Sequence, residues 1–229
     1  DVVFQNKTVS KNLGFGLTLF GYDVWLPNSR GNKNSLNHTT LDPKKASELL
    51  RLFFYEKGGV FLSPKISKFG VPLCKVLKEV CANFVYIIGG FDNLQLNKSR
   101  LHVYAANYPA GSSSWNTVHL AQGVETKKFQ KFDYGSLKNQ EKYGTTTPPE
   151  YNLTNIDPKN VAIIYSENDW LASRRDVQFI KDQIKGSFLL DSKVTFRLWN
   201  HPDFIWGKDT PRYVYKTVVE LLEKFRFYD

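Results

Sequence analysis

Two residues near the end of the chain have the side chains needed for acid–base catalysis. Asp169 lies in "SENDWLAS" and His201 lies in "LWNHPDFIWG", and both stretches are typical of loops. An imidazole can take a proton from a hydroxyl, while a neighbouring carboxylate fixes its tautomer and stabilises the imidazolium. The alternative is structural: Asp169 would cap a helix beginning at Ser173, and His201 would pack against Trp199 or Trp206. The surrounding elements decide whether the two side chains can meet.

Those elements are a predicted strand, helix and second strand. Val161–Tyr165 is a short apolar run of the kind found in buried strands. Arg174–Lys185 carries apolar residues on one helical face and is followed by Gly186, which favours a helix end. Val194–Trp199 is the second predicted strand.

A final helix completes the unit. Asp209 or Thr210 is its predicted cap, and Pro211 occupies its first position. Its apolar stripe consists of Val214, Val218, Leu221, Leu222 and Phe225. A strand–helix–strand–helix order predicts a parallel pair of strands in an α/β sheet.

This topology brings Asp169 and His201 to the same edge of the sheet. Each residue follows the carboxyl end of a predicted strand, where open α/β sheets place their ligands. An Asp and then a His in this order match the last two members of a Ser…Asp…His triad on an α/β-hydrolase sheet.

The rest of the chain is less regular. Val9–Leu26 predicts a helix stopped by Gly21 and then a strand at Tyr22–Leu26. Helices are predicted at Lys44–Phe54 and Pro72–Ala82.

An apolar run follows at Val85–Ile88, and Leu101–Tyr104 is a predicted strand. Long stretches rich in Asn, Gly, Ser, Thr and Pro come next. They are more typical of a cap or insertion that lies over a core than of the core itself. We therefore predict an incomplete α/β core at 1–40 and 158–229, and a cap or lid at 41–157.

Composition and charge narrow the classes of function. The chain has 229 residues, of which 41% are hydrophobic, and a formal net charge of +9. Its basic residues are scattered and form no aromatic-interleaved stripe, so we expect no nucleic-acid partner. No apolar run is long enough to cross a bilayer. We expect no cofactor and no metal site, and the oligomeric state stays open.

The sequons favour a secretory route. Asn6, Asn37, Asn97 and Asn152 each begin an N-x-S/T sequence and are candidate glycosylation sites. Their number favours a secreted or lysosomal protein. The chain begins at Asp1 and contains no Met, so we expect that residues preceded Asp1 in the translated product.

Cys74 and Cys81 are the only cysteines. On one continuous helix their Cα atoms would lie roughly 10 Å apart, beyond the reach of a disulfide. Either the helix is broken and the two residues are bridged, or they are two buried thiols.

Several motifs in order resemble the acid lipase family, which includes gastric and lysosomal acid lipases. They are "GYDVWLPNSRGN" at 21–32, "GGFDNLQLNKSRLHVYAANYPAGSSSWNTVHLAQGVETKKFQKFDYGS" at 89–136, "PPEYNLT" at 148–154, "ENDWLASRRDV" at 167–177 and "NHPDFIW" at 200–206. The resemblance implies an α/β hydrolase with a cap, acting on triacylglycerols or cholesteryl esters at acidic pH in a secreted or lysosomal setting.

The resemblance also implies roles for individual residues. Asp169 and His201 match the Asp and His of the family's charge-relay triad, and Asp203 would orient the same loop. Cys81 matches a family cysteine, and Cys74 is similar to its disulfide partner although the spacing is shorter here.

The family's nucleophile is missing from this sequence. Members carry G-H-S-Q-G between the N-S-R-G-N motif and the cap, yet no G-x-S-x-G occurs in the 229 residues. The nearest stretch, "AGSSSWN", has Trp115 where the second glycine is required. Ser29 follows a predicted strand, but in the family that serine belongs to a structural loop. The oxyanion hole normally comes from a backbone N–H just after the nucleophile and another from an upstream H-G loop. Neither segment is found in this sequence.

These observations predict a lipid ester hydrolase scaffold with little or no activity of its own, because its nucleophile and oxyanion hole are absent. We expect the chain to lack an N-terminal part and the nucleophile segment, through truncation, splicing or a partial gene model, or to be a pseudoenzyme. One alternative is a non-catalytic protein that binds lipid or a lipid interface. Another is an unstable fragment with no function of its own.

Overall fold

The computed structural model describes residues 13–25, 59–60, 64–108 and 112–226, with backbone alone for 59–60, 64–69 and 114. Two compact units are present, and each is described by itself. The first contains the described residues of 1–26, 73–102 and 153–229. The second contains those of 27–72 and 103–152.

The first unit contains a parallel pair of strands. We number helices and strands in chain order; β3 is Ala162–Tyr165 and β4 is Leu190–Lys193. Ala162 pairs with Leu190, and the register continues to Tyr165 with Lys193. The prediction of a parallel α/β pair is therefore confirmed. The sheet is small and open, because only these two strands pair in it among the described residues.

The connecting helix α7 spans Arg174–Gln183. Ser173 and Asp176 form a reciprocal capping box: the Ser173 side chain accepts from the Asp176 N–H, and the Asp176 carboxylate accepts from the Ser173 N–H. The helix ends two residues before the predicted Lys185, and Gly186 follows with a φ of 125°. The predicted helix is confirmed, with a shorter C-terminus.

The second strand lies earlier than predicted. Pairing uses Leu190–Lys193, and the ladder ends with the Val194 N–H donating to the Tyr165 carbonyl at 2.8 Å. The predicted strand Val194–Trp199 is wrong, because β3 offers no further backbone partner beyond Tyr165. Its apolar residues instead pack into a hydrophobic cluster.

That cluster forms the core of the first unit. Its buried members are Val194, Trp199, Val214 and Tyr215. Half-buried side chains surround it: Leu13, Ile164, Phe196, Phe204, Tyr213 and Val218. Helix α1 (Leu13–Leu19) reaches the cluster through Leu13.

The C-terminal helix begins at the predicted residue, Pro211, but its first turn has a different geometry. After the short helix α8 (Asp203–Trp206), Pro211 opens a π-helical turn at Pro211–Tyr215, and the α-helix α9 follows at Lys216–Glu223. Thr210 is the N-cap residue, but its side chain makes no cap hydrogen bond. Its hydroxyl instead donates to the Asp203 and Gly207 carbonyls at 2.6 and 2.8 Å, which ties the helix start to the preceding loop.

The two cysteines are joined by a disulfide. The helix predicted at Pro72–Ala82 is in fact two helices, α2 at Pro64–Val76 and α3 at Lys78–Gly89, interrupted at Leu77. The interruption brings the Cα atoms of Cys74 and Cys81 to 5.4 Å. The bridge is thus the first of the two alternatives left open by the sequence.

Two other short apolar runs are helical. Val85–Ile88 lies inside α3, where burial at Cys81, Ala82, Tyr86 and Gly89 follows helical spacing. Leu101–Tyr104 opens helix α4 (Leu101–Asn107). The strand prediction at Leu101–Tyr104 is wrong, because a short apolar run does not distinguish a strand from a helix by itself.

The second unit contains a minimal antiparallel pair of strands and several helices. Strands β1 (Gly59–Val60) and β2 (Ser112–Ser113) pair antiparallel. Helices α5 (Ser114–Thr126) and α6 (Ser136–Tyr143) follow. Aromatic rings pack in a chain of contacts between 4.7 and 6.1 Å that joins Trp115, His119, Phe132, Tyr134 and Tyr143.

The remaining predictions divide by what the structure describes. Gly21 adopts a φ of 82° after α1, as expected for a helix stop. Tyr22–Trp25 forms no strand among the described residues, so the predicted strand there is wrong; the Tyr22 hydroxyl bonds the Glu223 carboxylate at 2.9 Å, which holds this segment against a helix. The helix at Lys44–Phe54 lies outside the described residues. No described helix is both long and apolar enough to span a bilayer.

Candidate active site

Asp169 is held in the loop that follows β3. Its Oδ1 accepts the N–H groups of Leu171 and Ala172 at 2.9 and 2.7 Å. The side chain is 5% exposed. Asp169 therefore stabilises the turn leading into α7, while the cap of that helix belongs to Ser173. The alternative that Asp169 caps this helix is therefore wrong; Oδ1 holds the turn before the helix, and Oδ2 is available to another partner.

That other oxygen meets His201. The Nδ1 atom of His201 lies 2.9 Å from Oδ2 and 3.2 Å from Oδ1 of Asp169. An ionised carboxylate only accepts hydrogen bonds, so Nδ1 carries the proton and Nε2 of the neutral ring carries the lone pair. The His201 side chain is 47% exposed, and no described residue bonds to Nε2. The geometry is that of an oriented base.

The same contact shifts both pKa values. The hydrogen bond and charge of Asp169 raise the pKa of His201, although burial opposes this. Burial acts to raise the pKa of Asp169, but the bond from His201 and those from Ala172 and Leu171 outweigh it and lower the pKa.

The two shifts define a pH window. The His201 contribution to folding is fully present below its ordinary pKa of about 6.5 and is lost as the pH rises through its raised folded pKa. The Asp169 contribution is present above about pH 4 and is lost as the pH falls through its lowered folded pKa. The pair therefore stabilises the site most under mildly acidic conditions.

A glycine pair positions both loops. The Gly89 carbonyl accepts the His201 N–H at 3.0 Å and the Trp170 N–H at 3.4 Å. Gly90 has a φ of 112°, and a Cβ there would collide with the Asn168 carbonyl oxygen. One short segment after α3 therefore fixes the backbones that carry Asp169 and His201.

Two asparagines complete the attachment. Asn168 Nδ2 donates to the Phe91 and Leu198 carbonyls at 2.9 and 2.7 Å. Asn200 Nδ2 donates to the Gly90 carbonyl at 2.8 Å. Sequence reasoning assigned no role to Gly90, Asn168 or Asn200. The available signal was an Asn directly before each candidate residue and a Gly-Gly pair in a quoted motif.

Asp203 lies where it can orient the His201 loop. Its Oδ2 accepts the Asn200 N–H at 2.9 Å, and its own N–H donates to Asn200 Oδ1 at 3.0 Å. This reciprocal pair closes the turn that contains His201. Asp203 is fully buried and contacts no part of the imidazole that would take up a proton.

The other candidate residues divide between described and undescribed parts. Asn97 accepts from the Ser99 N–H and hydroxyl at 3.2 and 2.7 Å, and Asn152 is exposed. Asn6 and Asn37 lie outside the described residues, as does Ser29. Glycosylation stays a prediction. In the described part of the chain, no group of three or more potential ligands is placed to hold a metal ion.

The arrangement can accept a proton at Nε2 of His201 and stabilise the resulting imidazolium. It needs a hydroxyl or water as the proton donor. No described serine bonds to Nε2, and the Ser166 hydroxyl at the end of β3 is buried.

Comparison with known proteins identifies relatives. The chain is 41% identical over 156 residues to gastric triacylglycerol lipase of Bos taurus, covering 67% of this chain and 38% of that protein. It is 35% identical over 181 residues to human lysosomal acid lipase/cholesteryl ester hydrolase, covering 78% of this chain and 44% of the relative. It is 36% identical over 159 residues to Lipase 3 of Drosophila melanogaster, covering 68% and 40%.

No protein-family profile matches the chain, and the chain spans less than half the length of these curated relatives. The identities nevertheless extend over about two thirds or more of the chain, with lipases from mammals and an insect. The matched stretch of this chain belongs to the acid lipase family.

Proposed function

We propose that Asp169 and His201 are the acid–base pair of an acid-lipase-type lipid ester hydrolase. The observation that carries this proposal is the bond of 2.9 Å between His201 Nδ1 and Asp169, with the other face of the imidazole half exposed. Residues 1–40 and 158–229 would form an incomplete α/β-hydrolase core, and residues 41–157 would form the cap or lid.

The substrate class follows from the relatives, whose names specify triacylglycerol and cholesteryl esters. The secreted or lysosomal localisation is supported by the same names, and the disulfide agrees with an oxidising compartment. Since the sequence contains no G-x-S-x-G, we propose that these 229 residues alone turn over little or no ester.

An ester assay tests the activity. The chain would be incubated with a short-chain p-nitrophenyl ester at about pH 5, where the proposed pair is most stable. His201→Ala and a matched control, His102→Ala, would be assayed beside it. We expect all three to release product at the rate of buffer alone.

Turnover that disappears in His201→Ala and persists in His102→Ala would overturn the proposal that these 229 residues are inactive. It would also show that another hydroxyl or a water serves His201. The role of the pair itself is tested separately by the titration of His201 described at the end of the Discussion.

A second candidate function is binding to a lipid surface without hydrolysis. One observation favours it: α3 exposes large apolar side chains, with Phe84 66% and Ile87 72% exposed. Co-sedimentation with zwitterionic phospholipid vesicles would detect such binding. Phe84→Asp with Ile87→Asp should abolish it, whereas Leu137→Asp, at an equally exposed position of α6, should leave it intact.

A further inference from the structure

Two aspartates beside the site are buried, and no described lysine or arginine forms an ion pair with either of them. Asp92 and Asp203 are both fully buried. Asp92 Oδ1 accepts the N–H groups of Leu94 and Gln95 at 2.7 and 3.2 Å, and Asp203 Oδ2 accepts that of Asn200 at 2.9 Å. Asp92 Oδ2 and Asp203 Oδ1 receive no N–H or O–H donor from any described residue. Each carboxyl thus has one satisfied oxygen and one unsatisfied oxygen.

Each unsatisfied oxygen belongs to a carboxyl group that interacts directly with the other carboxyl group. Two buried negative charges at this separation would repel strongly in a medium that solvates neither of them. A single proton removes the conflict, because one carboxyl O–H then donates to the other carboxylate and both oxygens are satisfied.

The groups around the pair do not supply a positive charge. Tyr86 of α3 is buried nearby, and burial together with Asp92, Glu79 and Asp203 raises its pKa to about 12, so its hydroxyl stays neutral. Glu79 itself pairs with Lys98.

The described charged groups of the neighbouring loops have other partners. The Lys208 ammonium donates a hydrogen bond to the Leu94 carbonyl, and the Asp209 carboxylate accepts one from the Gln95 side chain. On the other side, the Asp169 carboxylate and the His201 imidazole engage each other.

We propose that Asp92 and Asp203 share one proton, and that this acid pair fastens the loop carrying His201 to the segment after α3. The Asp203 end of the pair holds the turn at Asn200. That turn is bonded to the Gly89 and Gly90 carbonyls through His201 N–H and Asn200 Nδ2. The Asp92 carboxyl holds the turn from Asp92 to Gln95, which begins two residues after Gly90. Asp203 is therefore a positioning residue that makes the site intact under acidic conditions and looser when the proton is lost.

The direction of the pH effect follows from the geometry. Burial and the charge of Asp92 raise the pKa of Asp203 to about 8, although the Asn200 N–H opposes this. A raised folded pKa means that the stabilisation is fully present below the unfolded value of about 4 and is lost as the pH rises through about 8. Retention of one extra proton in the folded state changes the folding equilibrium constant by about tenfold per pH unit within that window.

Asparagine substitution tests the shared proton. In Asp203→Asn the amide nitrogen donates to Asp92 at every pH, so the bond no longer depends on a titrating proton. Denaturant unfolding of the full chain would be compared with this variant between about pH 4.5 and pH 8.5. We expect the variant to lose the tenfold-per-unit dependence attributable to this proton and to exceed wild type in stability at the alkaline end. Asp182→Asn, on the exposed face of α7, should keep the wild-type dependence.

Three further measurements keep the proposal falsifiable if Asp203→Asn does not fold. Asp92→Asn should flatten the pH dependence in the same way, since the donor is then on the other partner. The infrared spectrum of wild type at about pH 6 should show the carbonyl band of a protonated buried carboxyl. The amide of His201 should be at least tenfold less protected from hydrogen exchange at about pH 8.5 than at pH 6, after correction for the intrinsic rate. An unchanged pH slope in a folded variant, or a wild-type spectrum without the carboxyl band, would overturn the proposal.

Discussion

At the scale of single residues, Asp169 has two tasks that its two oxygens divide. Oδ1 holds the turn before α7 and Oδ2 holds the imidazole of His201. Residue type and order in the sequence were enough to predict that these two residues meet. Gly90, Asn168 and Asn200 could not be assigned from the sequence, because their partners lie far away along the chain and are backbone carbonyls, which have no sequence signature.

Gly90 should be intolerant of substitution. A Cβ would meet the Asn168 carbonyl, and the φ of 112° is strained for any L side chain. We expect Gly90→Ala to lower the free energy of unfolding by at least about 2 kcal/mol in denaturant titrations. Gly123→Ala is the matched control, because that glycine lies inside α5 with open space where a Cβ would be. This change should raise the free energy of unfolding by about 0.5–1 kcal/mol. Equal effects of the two changes would contradict the close contact between Gly90 and the Asn168 backbone.

At the scale of elements, patterns of hydrophobicity located β3 and α7 but misplaced β4. Val194–Trp199 was predicted as a strand, yet Val194, Phe196 and Trp199 pack in a cluster with Val214 and Tyr215 after the ladder has ended. Periodicity reports which residues are buried. It does not report whether a neighbouring strand is long enough to pair with them.

The interruption at Leu77 and the disulfide belong together, because only a broken helix brings Cys74 and Cys81 within reach. The bridge closes a short loop, so chain entropy predicts a stabilisation of about 2–3 kcal/mol. Cys74→Ser with Cys81→Ser should lower the free energy of unfolding by that amount and abolish any effect of reductant. Wild type in reductant should match the variant in its absence. A wild type that is insensitive to reductant would exclude a stabilising role for the bridge.

At the scale of the whole molecule, the chain matches less than half of the length of its lipase relatives. The described residues pair two strands in one parallel sheet, and the segment after α3 ties the loops of Asp169 and His201 together at one edge of this unit. The family could be predicted from several motifs in order. Activity could not, because it depends on a nucleophile that no motif in the 229 residues provides. The ester assay addresses this scale.

Acidic conditions favour the site in two independent ways. The bond to Asp169 raises the pKa of His201, so this interaction stabilises the fold until the pH exceeds the pKa of His201 in the folded state. The proposed proton between Asp92 and Asp203 acts in the same direction on the neighbouring backbone. The net charge of +9 opposes both, because protonation of other carboxylates makes the chain more positive as the pH falls.

The central claim is that Asp169 orients and polarises His201 as a base. The most direct test is an NMR titration of the His201 ring protons in wild type and in Asp169→Asn, with the resonance assigned by its loss in His201→Ala. We expect a His201 pKa above its ordinary value in wild type, because the carboxylate stabilises the imidazolium, and a clear fall when Asp169 becomes an amide. The same pKa in both proteins would contradict the claim.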